Sequence, residues 1–202
     1  AAIQAKKFDK VPPLLSKLEA LGGENKARAQ LFGAELDMVQ GNTAGAEGKF
    51  TAAAGSTTNK ETQALARLGM AKIAVAKKDL AKARQMAEQA IGSSGSKAVA
   101  GTAYLIIGDA LYEEAINTKG DPAKEKYLDA SLAYLRIPVV YVDKRTEPEA
   151  LFKAGECFYQ LSKFPGRSAD RDRAASMYNT VIQKYAATRW GKEAQNSLKK
   201  IR

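Results

Sequence analysis

The feature that most constrains this chain is a spaced repetition of small residues. The stretch LFGAELDMVQGNTAGAEGKFTAAAG, beginning at Leu31, aligns with LGMAKIAVAKKDLAKARQMAEQAIG, beginning at Leu68, at an offset of 37 residues. The alignment pairs Leu31 with Leu68, Ala34 with Ala71, Asn42 with Asp79, Ala46 with Ala83 and Ala53 with Ala90. The same step again takes Leu68 to Leu105 and Ala71 to Gly108, within AYLIIGDALYEEA. A fourth copy opens at EALFKAGECFYQL, with Gly155 in the place of Gly108. A recurrence of this period marks a chain of stacked supersecondary units, each unable to bury its apolar face alone.

Each copy reads as two helices. The first carries apolar or small residues three and four apart: Tyr104, Ile107, Gly108 and Leu111 in the third copy, Leu151, Ala154, Gly155 and Phe158 in the fourth. A polar turn follows, QGNT at 40–43 or KKD at 77–79. The second helix carries Ala46, Phe50 and Ala53, or Ala83, Ala87 and Ala90, or Ala174, Tyr178 and Val181. Small side chains at a helix crossing let two axes approach closely. Glycine inside a helix costs about 1 kcal/mol relative to alanine, so its recurrence points to a close neighbour. The spacing predicts that Gly108 or Ala71 faces an alanine such as Ala46 or Ala83 on the second helix.

A small residue in the first helix, a short turn, then alanine, aromatic and alanine resembles the tetratricopeptide repeat. The likeness runs through essentially the whole chain. The tail, AASMYNTVIQKYAATRWGKEAQNSLKKIR, resembles repeats of bacterial cell-envelope proteins: Tyr185, Thr188, Trp190 and Ala194 match their inter-repeat pattern, with Ala186 replacing a proline. The tryptophan usual in the family's first helices is absent. The resemblance implies an all-α fold, a right-handed solenoid of stacked hairpins over 1–202. Its parts are a partial repeat over 1–22, repeats over 25–57, 60–94, 97–139 and 147–186, and a capping helix over 189–202. Two segments, 116–127 and 162–173, read as insertions in the turns. The opening AAIQAKKFDK lacks Met and an apolar signal region, and with the half-repeat it reads as the start of a piece of a longer array.

In this family partners dock as peptides or helices in a concave groove lined by first helices. The resemblance therefore directs attention to first-helix positions off the inter-helix seam: Arg28, Glu35, Met38, Leu65, Lys72 and Val75, then Asp109, Tyr112, Glu113, Glu149, Phe152, Glu156 and Tyr159. The later group joins aromatics to acids, which suits a partner segment with apolar and basic side chains. The alternative is that the aromatics are repeat core and the acids a solvated face.

The 202 residues include 32 Lys or Arg and 22 Asp or Glu, a net charge of +10. The excess sits at 59–96, with seven basic and three acidic residues, and at 147–202, with eleven and six. No stretch is a solid basic tract. A solvated helical face therefore ranks ahead of a nucleic-acid footprint, and Tyr178, Tyr185 and Trp190 are explained by packing. Cys157, the single cysteine, sits among apolar residues and reads as a buried, inert thiol. With no histidine, no phosphate-binding glycine loop and no nucleophile elbow, nothing in the sequence points to an enzyme, a cofactor or a metal.

The expected role is thus a protein-binding scaffold or adaptor in a bacterial envelope assembly, periplasmic or membrane-anchored from upstream of residue 1, with the cytoplasm as the alternative home. The competing readings are a self-assembling structural array and a basic surface for nucleic acid or anionic membrane.

Overall fold

The computed structural model describes residues 10–201. It contains ten α-helices and one π-helical turn, and no strand among the described residues. The chain divides after Val99 into two compact units.

The first unit holds α1 (Val11–Ala20), α2 (Gly23–Val39), α3 (Thr43–Gly55), α4 (Lys60–Ala76) and α5 (Leu80–Ser93). The residues that punctuate the sequence make its turns. Asn42, Asn59 and Asp79 cap α3, α4 and α5, each side chain accepting from backbone N–H groups of the first turn. The offset of 37 is physical here. Gly41 has φ +80° and Lys78, its counterpart, φ +62°. Asn42 N donates to Asp37 O and Asp79 N to Ala74 O, so both turns close with the same six-residue bond. Glycine suits that left-handed position, whereas Lys78 holds it at a steric cost of about 1–2 kcal/mol.

Each helix of this unit packs on the next, and α2 also touches α4. The core joins Leu31 and Ala34 of α2, Ala46, Phe50 and Ala53 of α3, and Ala66 and Ile73 of α4. α5 buries Ala83, Ala87 and Ala90, all without exposed surface. Alanine gives up little area, but it lets the helix axes close in and keeps packing dense. The expected partial repeat over 1–22 lies partly outside the described residues. Its described part is α1, with Pro12 and Pro13 in the first turn, where proline's missing N–H leaves no unmade bond.

The second unit holds most of α6 (Lys97–Ile116), then α7 (Asp121–Arg136), the π-turn Ile137–Tyr141, α8 (Glu147–Leu161), α9 (Asp170–Tyr185) and α10 (Arg189–Ile201). α7 packs on α8, α8 on α9 and α9 on α10, and α8 also touches α10. Ion pairs and hydrogen bonds add contacts of α6 with α7 and α8. Thr188 starts α10 by accepting from Gly191 N, which explains its place in the tail motif.

Two expectations need correction. Gly108 does not oppose an alanine. A side chain there would meet the Tyr134 ring at 2.4 Å, and at Gly155 the Tyr178 ring at 2.6 Å. Gly69 of α4 likewise faces Phe50, at 2.3 Å. The space left by the missing Cβ is filled by an aromatic ring, while buried alanines set the close approach elsewhere. Second, residues 116–127 are not a long loop. Only 117–120 connect α6 to α7, and the extra residues extend the helices to 20 and 16 residues. Helix satisfies the backbone groups that a loop would leave to water. The connection at 162–169 does lie between helices, turning at Gly166 with φ +72°.

Candidate functional site

In the second unit α6, α8 and α10 form a row, and the row carries a polar cluster with aromatic walls. On α6, Asp109 and Tyr112 stand three residues apart, on one face. On α8, Glu149, Phe152, Lys153 and Glu156 follow the same rule. α10 adds Trp190 and Ser197.

Lys153 is the centre. Its Nζ donates to Asp109 Oδ1 at 2.7 Å and to Glu149 Oε1 at 2.6 Å. Asp109 Oδ1 also accepts from the Tyr134 hydroxyl at 2.7 Å. The ammonium stands 5.8 Å from the Trp190 ring centre and 6.0 Å from that of Tyr134. Burial pushes the Lys153 pKa down, but the charges of Asp109 and Glu149 outweigh it and the net shift is upward. The side chains of Asp109, Glu149 and Lys153 keep 29, 27 and 23% of their surface open, so the cluster is accessible.

A second node lies one turn along α8. Glu156 Oε1 accepts from the Tyr178 hydroxyl at 2.6 Å and from the Ser197 hydroxyl at 2.8 Å. Burial pushes the Tyr178 phenol far up, and its bond to Glu156 pushes it further. Phe152 bridges the nodes, with ring centres 5.4 Å from Trp190 and 5.8 Å from Tyr178. Three carboxylates, Asp109, Glu149 and Glu156, stand against two cations, Lys153 and Arg189, whose guanidinium lies 4.3 Å from the Trp190 ring centre, so the cluster carries an excess of one negative charge.

Tyr112 belongs as much to the core as to the face. It packs edge-on against Tyr127 at 5.5 Å, and burial, then the Glu156 charge, lifts its phenol. Tyr159 is half-buried, with Lys163 Nζ 4.5 Å from its ring centre. Glu113 is half-buried, and its backbone carbonyl accepts from the Asn117 side chain.

The first-unit residues do not gather in this way. Arg28 is tied to Glu24 at 3.3 Å. Glu24 is itself held by the hydroxyls of Thr57 and Thr62, whose bonds lower its pKa. Met38 packs against the alanine-rich core. Leu65 is 38% exposed, and Val75 is half-buried. Glu35 and Lys72 lie open to solvent and interact electrostatically; nearby protein raises the Glu35 carboxyl while Lys72 lowers it.

Sequence reasoning passed over Lys153, Tyr134 and Ser197, and read Trp190 and Tyr178 as packing. The four-residue step from Glu149 to Lys153 was a usable signal. Their convergence across helices was not encoded in any local spacing. Cys157 is fully buried, and burial pushes its thiol well above the ordinary range, leaving it protonated. No group of three or more His, Cys, Asp or Glu among the described residues is arranged to hold a metal. No described helix is long and apolar enough to cross a membrane. Comparison with protein-family models, curated proteins and solved structures finds no match for this chain.

Proposed function

We propose that the chain is a non-enzymatic interaction scaffold, and that the α6–α8–α10 row binds a basic, apolar peptide or helix of another protein. In this reading the hairpins continue as a right-handed tetratricopeptide-like solenoid, and their first helices line its concave groove. The observation that carries the reading is the acid–aromatic cluster around Lys153. Its carboxylates exceed its cations by one, its rings pack on one another, and it remains partly open. Aromatic anchors beside unneutralised carboxylates recognise lysine or arginine set among apolar side chains, through ion pairs and cation–π contacts. Nearest-neighbour packing within each unit, with contact between successive first helices, supports the repeat architecture.

The tail pattern of Tyr185, Thr188, Trp190 and Ala194 supports a place in a bacterial envelope assembly, periplasmic or tethered. Selection from a random peptide display library tests the reading. The enriched peptides should carry Lys or Arg beside Leu or aromatic residues, and replacing Asp109 and Glu149 with Asn and Gln should abolish enrichment. Enrichment of acidic peptides, or none, would refute it.

A further inference from the structure

The most unusual segment of the second unit lies outside this row. At the end of α7 the chain forms a π-turn, Ile137–Tyr141, and then places Val142 at φ 45°, ψ 51°. A β-branched residue rarely occupies that left-handed region, and such strain together with a π-turn marks functional segments. The turn leaves Val139 76%, Val140 54% and Val142 58% exposed, with Leu132 60% exposed one helical face earlier.

Repeat packing does not require these residues. An offset of 44 takes Tyr134 to Tyr178, Ile137 to Val181 and Tyr141 to Tyr185, all packed in both copies except half-buried Tyr141 and Tyr185. The same offset takes Val139, Val140 and Val142 to Gln183, Lys184 and Ala186. The later copy is polar at two of these three positions and carries only alanine at the third, so the valines are an addition to a shared frame.

A basic collar surrounds them. Arg136 stacks on Tyr104, 4.9 Å from its ring centre, and donates to the Tyr104 hydroxyl. Tyr141 stacks on Tyr104 at 5.2 Å. Lys144 and Arg145 are exposed, and Asp143, the one acid between residues 136 and 145, pairs with Arg145 at 3.1 Å. The segment therefore presents aliphatic side chains within an excess of two positive charges, on a chain of net charge +10.

We infer that this knuckle is a peripheral docking point for an anionic lipid surface. Aliphatic side chains would enter the acyl boundary, Tyr104 and Tyr141 would sit at headgroup depth, and Arg136, Lys144 and Arg145 would meet the anionic headgroups. The net positive charge of the chain draws it to such a surface before contact. Valine rarely dominates protein–protein hot spots, whereas a deformable bilayer accepts a convex aliphatic tip without a matching pocket.

Co-sedimentation with vesicles tests this. The whole chain should bind vesicles of phosphatidylglycerol and phosphatidylcholine, and bind pure phosphatidylcholine at least about tenfold more weakly. Val139→Asp with Val140→Asp should lower binding to the anionic vesicles at least about tenfold. Val139→Ser with Val140→Ser should lower it less, and both variants should keep the helical circular dichroism of the parent. Asp109→Asn with Glu149→Gln should not weaken vesicle binding while removing peptide binding, which separates this surface from the α6–α8–α10 row. The inference is overturned if the parent ignores anionic vesicles, or if the valine variants bind them as the parent does, since general basic attraction would then suffice.

Discussion

The two units solve the same packing problem with different side chains. The first buries alanine at its crossings, and among its described residues the one large buried ring is Phe50. The second contains all eight tyrosines and the single tryptophan of the chain. Alanine permits close helices but offers no group to bond or titrate. Tyrosine fills the void beside a glycine and carries a hydroxyl that must find an acceptor when buried. Tyr134 finds Asp109 and Tyr178 finds Glu156, and both acceptors stand on the row of first helices. The aromatic core of the second unit thereby fixes carboxylates at its surface. The first unit has no such link, and its candidate residues stay scattered. The difference teaches that an accessible polar cluster can be a by-product of how a core is filled.

Alkaline pH should separate the units most strongly. In the folded chain burial raises the phenols of Tyr112, Tyr134 and Tyr178, and of Tyr185 to about 12. Unfolded tyrosine loses its proton near pH ~10. Above that value the unfolded chain binds fewer protons than the folded one, so stability falls as pH rises. Lys153, also raised, acts in the same direction. Stability from these groups is complete below pH ~10 and is lost towards and beyond their folded values. Tyrosinate absorbance reports only the second unit. It should rise cooperatively with partial loss of helical signal, whereas gradual, independent titration would contradict the buried network.

The next effect concerns the glycine–ring contacts. Gly108→Ala and Gly155→Ala should each destabilise the chain by about 3 kcal/mol in urea unfolding, because the added carbon would meet a buried ring. An effect near zero would mean that the rings can move aside. Replacing Lys153 with Met should cost about 2 kcal/mol, since it leaves Asp109 and Glu149 without their shared cation. The same variant should bind a basic peptide more tightly, because the face becomes more negative. Smallest, and opposite in sign, are Gly48→Ala and Gly92→Ala. Nothing lies within 4 Å of the added carbon, and each should stabilise its helix by about 0.5–1 kcal/mol.

Much of the helix order was legible because its signals are local. Asn42, Asn59 and Asp79 mark helix starts, and the step of 37 carries the Gly41 turn onto Lys78. What was hidden depends on contacts between distant segments. The glycines announced that something comes close, but not that it is a ring from 23 or 26 residues away. The extra residues near 116–127 looked like a loop because a periodic frame treats additions as insertions, while the chain continued its helices through them. Asp109, Glu149 and Glu156 were found as first-helix positions. The lysine that ties two of them together is not marked as a partner-facing residue by its spacing, because Lys153 bonds within its own chain.

Trp190 gives the most direct test of the proposed binding face. It is the sole tryptophan, half-buried against Phe152 within the row. Its fluorescence should change saturably as a synthetic peptide alternating Lys or Arg with Leu is added. Glu149→Gln with Glu156→Gln, which keeps the acceptor oxygens but removes the charges, should weaken binding at least about tenfold, or about 1.4 kcal/mol. A flat titration, or a saturable one indifferent to those carboxylates, would contradict the proposed function.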